Sequence, residues 1–415
     1  MRINLSLDAN LFKSFPRYKK FTISLPLAPV EDIYNHSARK KEKKMKKRIF
    51  GAMAIMMALL PGCSQSGQTA SSNSANGNDS GTTTNSSTDA SEQTGEKKEV
   101  NVYMPSPAGL QKNLEKDFEE KYSNIDMKVT SGTTGELLAR IEAEKANPVC
   151  DVLILASWSD GISSLTSLDL MAYTPVGAEN IYDEFKHSSN KIWGTSASAV
   201  GVLYNTDLVS KEKIEKLDWS DFADKDKVNA VTNSGEAKMS MPDPTKSGAC
   251  KDFLAGYVSS KGETAAWNDF NGWIDNGLAN GGANKTALAS VENGDVDILV
   301  AGVDYNAYSD KAKGTKVDIY YPKGGTVVNA RPAMILSSTK HEEEAKKVMD
   351  YLCSDSAQEY VAKAYLLPGS KKVDANSART SMNDISQLSN LNWDDMAKNG
   401  TSIATTFVKT IASKN

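Results

Sequence analysis

Histidine is nearly absent from this chain: three in 415 residues, at His36, His187 and His341. That leaves almost no raw material for a Ser-His-Asp triad or an HExxH metal centre. No G-x-S-x-G elbow or P-loop occurs either, so an enzymatic reading has little support. Cysteine is scarce as well. Cys63, Cys150, Cys250 and Cys353 are widely spaced and form no CxxC pair, which argues against a disulfide framework or a zinc site. Cys150, Cys250 and Cys353 read as buried free thiols. The apolar stretch Ile49–Leu60 is too short to span a bilayer as a helix. Positive charge is short beyond the front end. Residues 1–62 hold 13 of the 48 Lys and Arg and 4 of the 52 Asp and Glu, leaving 35 against 48 and a net of −13 from Cys63 onward. So acidic a surface argues against nucleic acid and against a polybasic membrane grip.

The front end has the anatomy of a targeting segment. Lys46, Lys47 and Arg48 precede the apolar stretch, and Leu60-Pro61-Gly62-Cys63 closes it, resembling the lipobox of bacterial lipoproteins with Pro61 as a departure. The expectation is translation from Met45, with residues 1–44 a mis-assigned upstream extension, 45–62 a signal peptide, and Cys63 the lipidated new N-terminus. Residues 64–95 are rich in Ser, Thr, Asn and Gly with almost nothing larger than Ala to bury. The segment 63–98 is therefore expected to be a lipid anchor and disordered tether.

From Glu99 strands alternate with amphipathic helices. EVNVYM reads as a strand, and Leu110, Leu114 and Phe118 mark one face of the following helix. Asp126–Thr130 is a second strand, and the apolar DVLIL at 151–155 suits a parallel strand covered on both faces. The turns after these strands are built from Ser, Thr, Gly and Pro: Ser106, then Ser131, Gly132, Thr133 and Thr134, then Ser157. In an open α/β sheet such turns lie at the carboxyl ends of the strands, where ligands bind. Ile192–Tyr204 and Thr326–Ser337 read as two extended segments crossing between lobes, which predicts two α/β lobes with a cleft between them.

Asp243-Pro244-Thr245-Lys246-Ser247-Gly248 leads into a helix that begins at Ala249. Pro244 fixes a turn, Thr245 and Ser247 offer hydroxyls, and Gly248 permits close backbone approach. The first helical amides lack intrahelical partners and sit at the positive end of the dipole. The hexapeptide therefore reads as a seat for a phosphate, phosphonate or carboxylate. Trp219, Phe222, Phe253, Trp267, Phe270 and Trp273 read as core, because their spacing falls on helix faces.

The segments VNVYMPSP, VTSGTTGELLARIEAEKANP with DVLILAS, GVLYNTDLV, DPTKSG, YYPKGGT and EEEAKKVMDYL together resemble the type II periplasmic solute-binding proteins of ABC importers. The branch resembled includes ferric-iron, 2-aminoethylphosphonate, hexose-phosphate and thiamine or polyamine receptors. The resemblance implies a two-lobed α/β Venus flytrap with discontinuous lobes and crossing strands. The expected division is 99–198 plus 327–368 for one lobe and 199–326 plus 369–415 for the other. It implies that the chain is not an enzyme, carries no cofactor and works as a monomer outside the cell membrane. Its partners would be a small anionic solute and the permease and ATPase subunits. The family's anion contacts match Ser131–Thr134 in one lobe and Thr245, Ser247 and Gly248 in the other, with Ser106 and Ser157 as further donors. Tyr305 would cap the organic part of the ligand. The family's acidic residue after Tyr-Pro is replaced by Lys323, which leaves Asp304 as the candidate partner for a ligand amine. The ferric branch would instead use phenolates, here Tyr305 and Tyr308, with a synergistic anion.

Overall fold

The computed structural model describes residues 97–414. The expected upstream extension, signal peptide, lipidated Cys63 and most of the tether lie outside the described residues. Among those described, no helix is long and apolar enough to cross a membrane.

The first half alternates β1 (Lys98–Met104), α1 (Ala108–Lys121), β2 (Ile125–Ser131), α2 (Thr134–Ala143), β3 (Val152–Ile154), α3 (Trp158–Ser167) and β4 (Leu170–Met171). The long β5 (Trp193–Asn205) leads to α4 (Lys211–Ile214), α5 (Lys225–Val231), β6 (Met239–Met241), α6 (Gly248–Lys261) and α7 (Glu263–Asp275). Then follow β7 (Ala279–Asn280), α8 (Asn284–Glu292), β8 (Ile298–Val303), α9 (Asp304–Ala312), β9 (Val317–Tyr320) and β10 (Val328–Leu336). The chain ends with α10 (Glu342–Leu352), α11 (Asp355–Lys363), β11 (Leu367–Pro368) and α12 (Trp393–Lys414).

Strand order is β2-β1-β3-β10-β5-β8-β6-β7. β5 changes partners midway. Its residues up to Ala199 pair antiparallel with β10, and from Val200 it pairs with β8 and β9. The return crossing runs from β9 to β10, and Thr326 Oγ1 donates to the Val200 carbonyl at 2.8 Å, tying the two crossings together. The expected two-lobed α/β fold with discontinuous halves and crossing strands is the observed one.

Each half buries what its pattern asks it to bury. α1 turns Leu110, Leu114 and Phe118 inward at a four-residue spacing. In the second half Trp219, Phe253, Phe270 and Trp273 are buried, with the Trp219 ring tilted against Phe253 at 4.4 Å and Phe407 of α12 edge-on to Phe270 at 5.5 Å. Burial of each such ring contributes about 1.5–3 kcal/mol. α12 buries Met396, Gly400, Ala404, Phe407 and Ile411 along one stripe. It meets both halves: Ser163 of α3 donates to the Ala397 carbonyl, and Lys414 pairs with Asp275 of α7. Cys150, Cys250 and Cys353 are buried free thiols, and burial pushes the Cys353 thiol up to about 12.

Candidate functional site

Several helix starts converge where the two halves face one another. α2 opens with a capping box: Thr133 Oγ1 accepts from the Glu136 amide at 3.3 Å, and Glu136 accepts from the Thr133 amide at 2.8 Å. Thr134 Oγ1 accepts from the Ala156 amide at 3.0 Å, joining the second turn to the third. Gln111 locks the first turn to the second by donating to the Ser106 carbonyl and to Ser131 Oγ. From the other half the start of α6 presses directly on the third turn. A Cβ on Gly248 would lie 2.8 Å from Ser157 Cβ and 3.1 Å from the Ala156 carbonyl oxygen, so only glycine fits here.

Beside that contact the halves are latched. Ser157 and Ser159, at the start of α3, both donate to Asp252 of α6, and Lys251 pairs with Asp160. Burial pushes the Asp252 carboxyl up to about 6 against the pull of Lys251.

The turns and helix starts enclose a cavity of about 230 Å³. Its walls include Ser106, Gly132, Thr133, Thr134, Gly248 and Tyr305, all expected from the sequence. The other expected side chains do not line it. Ser131 Oγ is occupied by Gln111, while Thr245 Oγ1 donates to Asp243 at 2.6 Å and faces a neighbouring hollow. Ser157 and Ser247 turn inward, the latter to cap the Cys250 amide at 3.2 Å. Tyr308 reaches Thr380 at 3.0 Å.

Asp304 is no partner for a ligand amine. Its carboxylate is fully buried and pairs with Arg379 at 2.7 Å while accepting from the Ala199 amide and from Tyr321. Burial works to lower the Arg379 guanidinium, but Asp304 and the phenols of Tyr321 and Tyr308 raise it above its ordinary value. Asp304 thus holds the point where β5 passes between the halves.

Residues the sequence reading missed supply the cavity's strongest chemistry. Arg331, on β10, is buried yet lines the cavity. It donates to the Pro105 carbonyl at 2.5 Å, its Nε has no partner, and it makes no ion pair among the described residues. Burial lowers its guanidinium from the ordinary value, with Tyr305 and Asp304 working the other way. Ser198 Oγ and Asn284 Oδ1, also on the cavity wall, are buried without partners. Three of the five such atoms among the described residues therefore belong to residues of this one cavity wall, a concentration that singles it out among the hollows. Other hollows, of about 270 and 460 Å³, include none of these atoms in their walls. Arg331 had one signal in the sequence: it is the sole charge in the apolar run Val327–Leu336.

Comparison with known proteins gives this arrangement a context. The family model described as bacterial extracellular solute-binding protein matches residues 158–399. Iron uptake protein A1 of Synechocystis sp. is 25% identical over 292 residues, covering 65% of this chain and 74% of that protein. Iron-bound HitA from Pseudomonas aeruginosa superposes with a TM-score of 0.65 at 22% identity, covering 75% of this chain and 99% of HitA. AfuA from Actinobacillus pleuropneumoniae, solved with fructose-6-phosphate bound, superposes with a TM-score of 0.64 at 20% identity, covering 77% and 99% of the two chains.

Proposed function

The chain belongs to the family of bacterial extracellular solute-binding proteins, and from that premise we propose that it is the receptor of an ABC importer for a small phosphorylated or phosphonylated anion. Arg331 carries the reading. A buried guanidinium without a carboxylate is expensive to hold, and a guest anion is the partner that offsets the expense. Helix-start amides and hydroxyls from both halves surround the same space, so an anion there favours the closed arrangement that a permease and its ATPase would recognise. A thermal-shift and calorimetric screen over sugar phosphates, phosphonates, inorganic phosphate, polyamines, thiamine and ferric citrate tests this. Stabilisation by phosphate-bearing solutes is expected; stabilisation by none of them would overturn the proposal.

A second reading, ferric iron held by phenolates with a synergistic anion, draws on the names of Iron uptake protein A1 and iron-bound HitA and on Tyr305 in the cavity wall. Hard Fe(III) favours several oxygen ligands, and the other candidate phenolate, Tyr308, is engaged with Thr380 away from the cavity wall. A purple phenolate band on adding ferric citrate, without response to phosphate-bearing solutes, would favour iron. The anchor is part of the same proposal. Cys63 is expected to carry a diacylglyceryl group in membrane-extracted protein by mass spectrometry, and an intact residue 1 would refute it.

A further inference from the structure

The charges on the cavity wall are of one sign. Arg331 lies on β10 of the first half, while Lys246 precedes α6 and Lys285 follows the start of α8 in the second half. No Asp or Glu side chain lines the cavity among the described residues. Acidic groups close to the wall are committed: Glu136 to the Thr133 amide, Asp304 to Arg379, Asp160 to Lys251, and Asp243 to Thr245, Asn280 and Lys246. Lys246 pairs with Asp243 at 3.9 Å and is more than half exposed, while Lys285 makes no ion pair among the described residues.

The unpartnered atoms are divided between the same two walls. Arg331 Nε and Ser198 Oγ sit on β10 and the crossing strand β5, and Asn284 Oδ1 sits beside Lys285. Arg331 and Ser198 supply donors for an anionic group. Asn284 Oδ1 is an acceptor and asks for a donor, which a ligand hydroxyl supplies. At about 230 Å³ the space is below the range of roughly 300–1,000 Å³ that holds drug-sized ligands, so the guest has only a few carbons.

We infer that the preferred solute is a short, amine-free organic anion with a negative group at each end and a hydroxyl between, such as a phosphorylated hydroxy-carboxylic acid. One end sits on Arg331 and Ser198, and the other faces Lys246 and Lys285. This rests on the proposed receptor role and narrows its ligand. A ligand of one charge leaves Lys285 without a counter-ion and Lys246 with only its long contact to Asp243. A ligand amine meets three cations and no carboxylate. A two-ended anion is drawn by both halves at once, which is what closure requires.

The test is calorimetric titration of the purified chain with four probes: 3-phosphoglycerate, glycerol 3-phosphate, 2-aminoethylphosphonate and inorganic phosphate. The expected result is that 3-phosphoglycerate binds at least tenfold tighter than glycerol 3-phosphate, with 2-aminoethylphosphonate weaker still. In a Lys246→Gln, Lys285→Gln variant that preference is expected to shrink to within about threefold, while glycerol 3-phosphate affinity changes little. Equal or tighter binding of glycerol 3-phosphate or 2-aminoethylphosphonate would overturn the inference and leave the anion-receptor role standing. An unchanged preference in the lysine variant would also overturn it. Binding of none of the four probes would remove the receptor role and this inference with it.

Discussion

Arg331→Met should move stability and binding in opposite directions. The wild-type guanidinium is buried, lacks a carboxylate and leaves Nε unpartnered, so the empty receptor bears a desolvation penalty of several kcal/mol. Methionine fills much of the same volume without charge. Against the relief stands the lost bond to the Pro105 carbonyl, a charge-assisted contact of about 1.5–3 kcal/mol. The net expectation is a ligand-free protein more stable by about 1–3 kcal/mol, or about 1.5–4.5 °C in melting temperature for a folded part of this size. Binding should suffer. Truncating one partner of a buried, hydrogen-bonded charge pair costs about 2–5 kcal/mol, an affinity loss of about thirtyfold to a few thousandfold. Differential scanning fluorimetry of the free protein and calorimetry with a phosphate-bearing solute read the two effects separately. A variant that melts lower than wild type and keeps its affinity would refute the reasoning and make Arg331 a structural residue.

Gly248→Ala places a Cβ 2.8 Å from Ser157 Cβ, so closure should be blocked and calorimetric affinity reduced more than tenfold, with the far-ultraviolet circular dichroism unchanged. Undiminished affinity would mean that the two turns do not meet in the bound form. Asp304→Ala leaves Arg379 charged and unpaired in the core, and urea unfolding should show a loss of about 3–5 kcal/mol. Asp252 has a carboxyl raised from 3.8 to about 6, so its contribution to stability is fully present below about pH 3.8 and is lost as pH rises through about 6. Lowering the pH from 7.5 to 5.0 should therefore add about 1 kcal/mol in wild type that is missing in Asp252→Asn, measured by urea unfolding at both values. An identical increment in both proteins would count against a titrating latch. Ser247→Ala should lower stability by about 0.5–2 kcal/mol through the lost cap on Cys250, with calorimetric affinity within threefold of wild type.

The fold was legible wherever local pattern and tertiary demand agree. EVNVYM, DVLIL and the two crossing segments are apolar enough to be buried on both faces, and they form β1, β3, β5 and β10 nearly as read. α9 escaped the reading, because DYNAYSDKA has no clear apolar stripe and its first turn is fixed by Asp304 contacts with residues distant in sequence. α12 escaped as well. Its buried stripe includes Gly400 and Ala404, and these small residues matter for how closely helices approach, which composition alone does not reveal. In the candidate site, residue types were legible but orientations were not. Ser106, Thr133 and Ser157 look alike as hydroxyls after strands, yet Ser157 turns toward Asp252 and away from the cavity. Arg331 hid because an arginine in an apolar strand carries meaning only once its surroundings are known to lack a carboxylate.

Electron density for the chain crystallised with a phosphate-bearing solute tests the central claim most directly. The account predicts an anionic group within hydrogen-bond distance of Arg331 and Ser198, with the start of α6 closed over it from the other half. Density for the solute outside the cleft, or an Arg331 turned onto a protein carboxylate with the solute bound elsewhere, would contradict it.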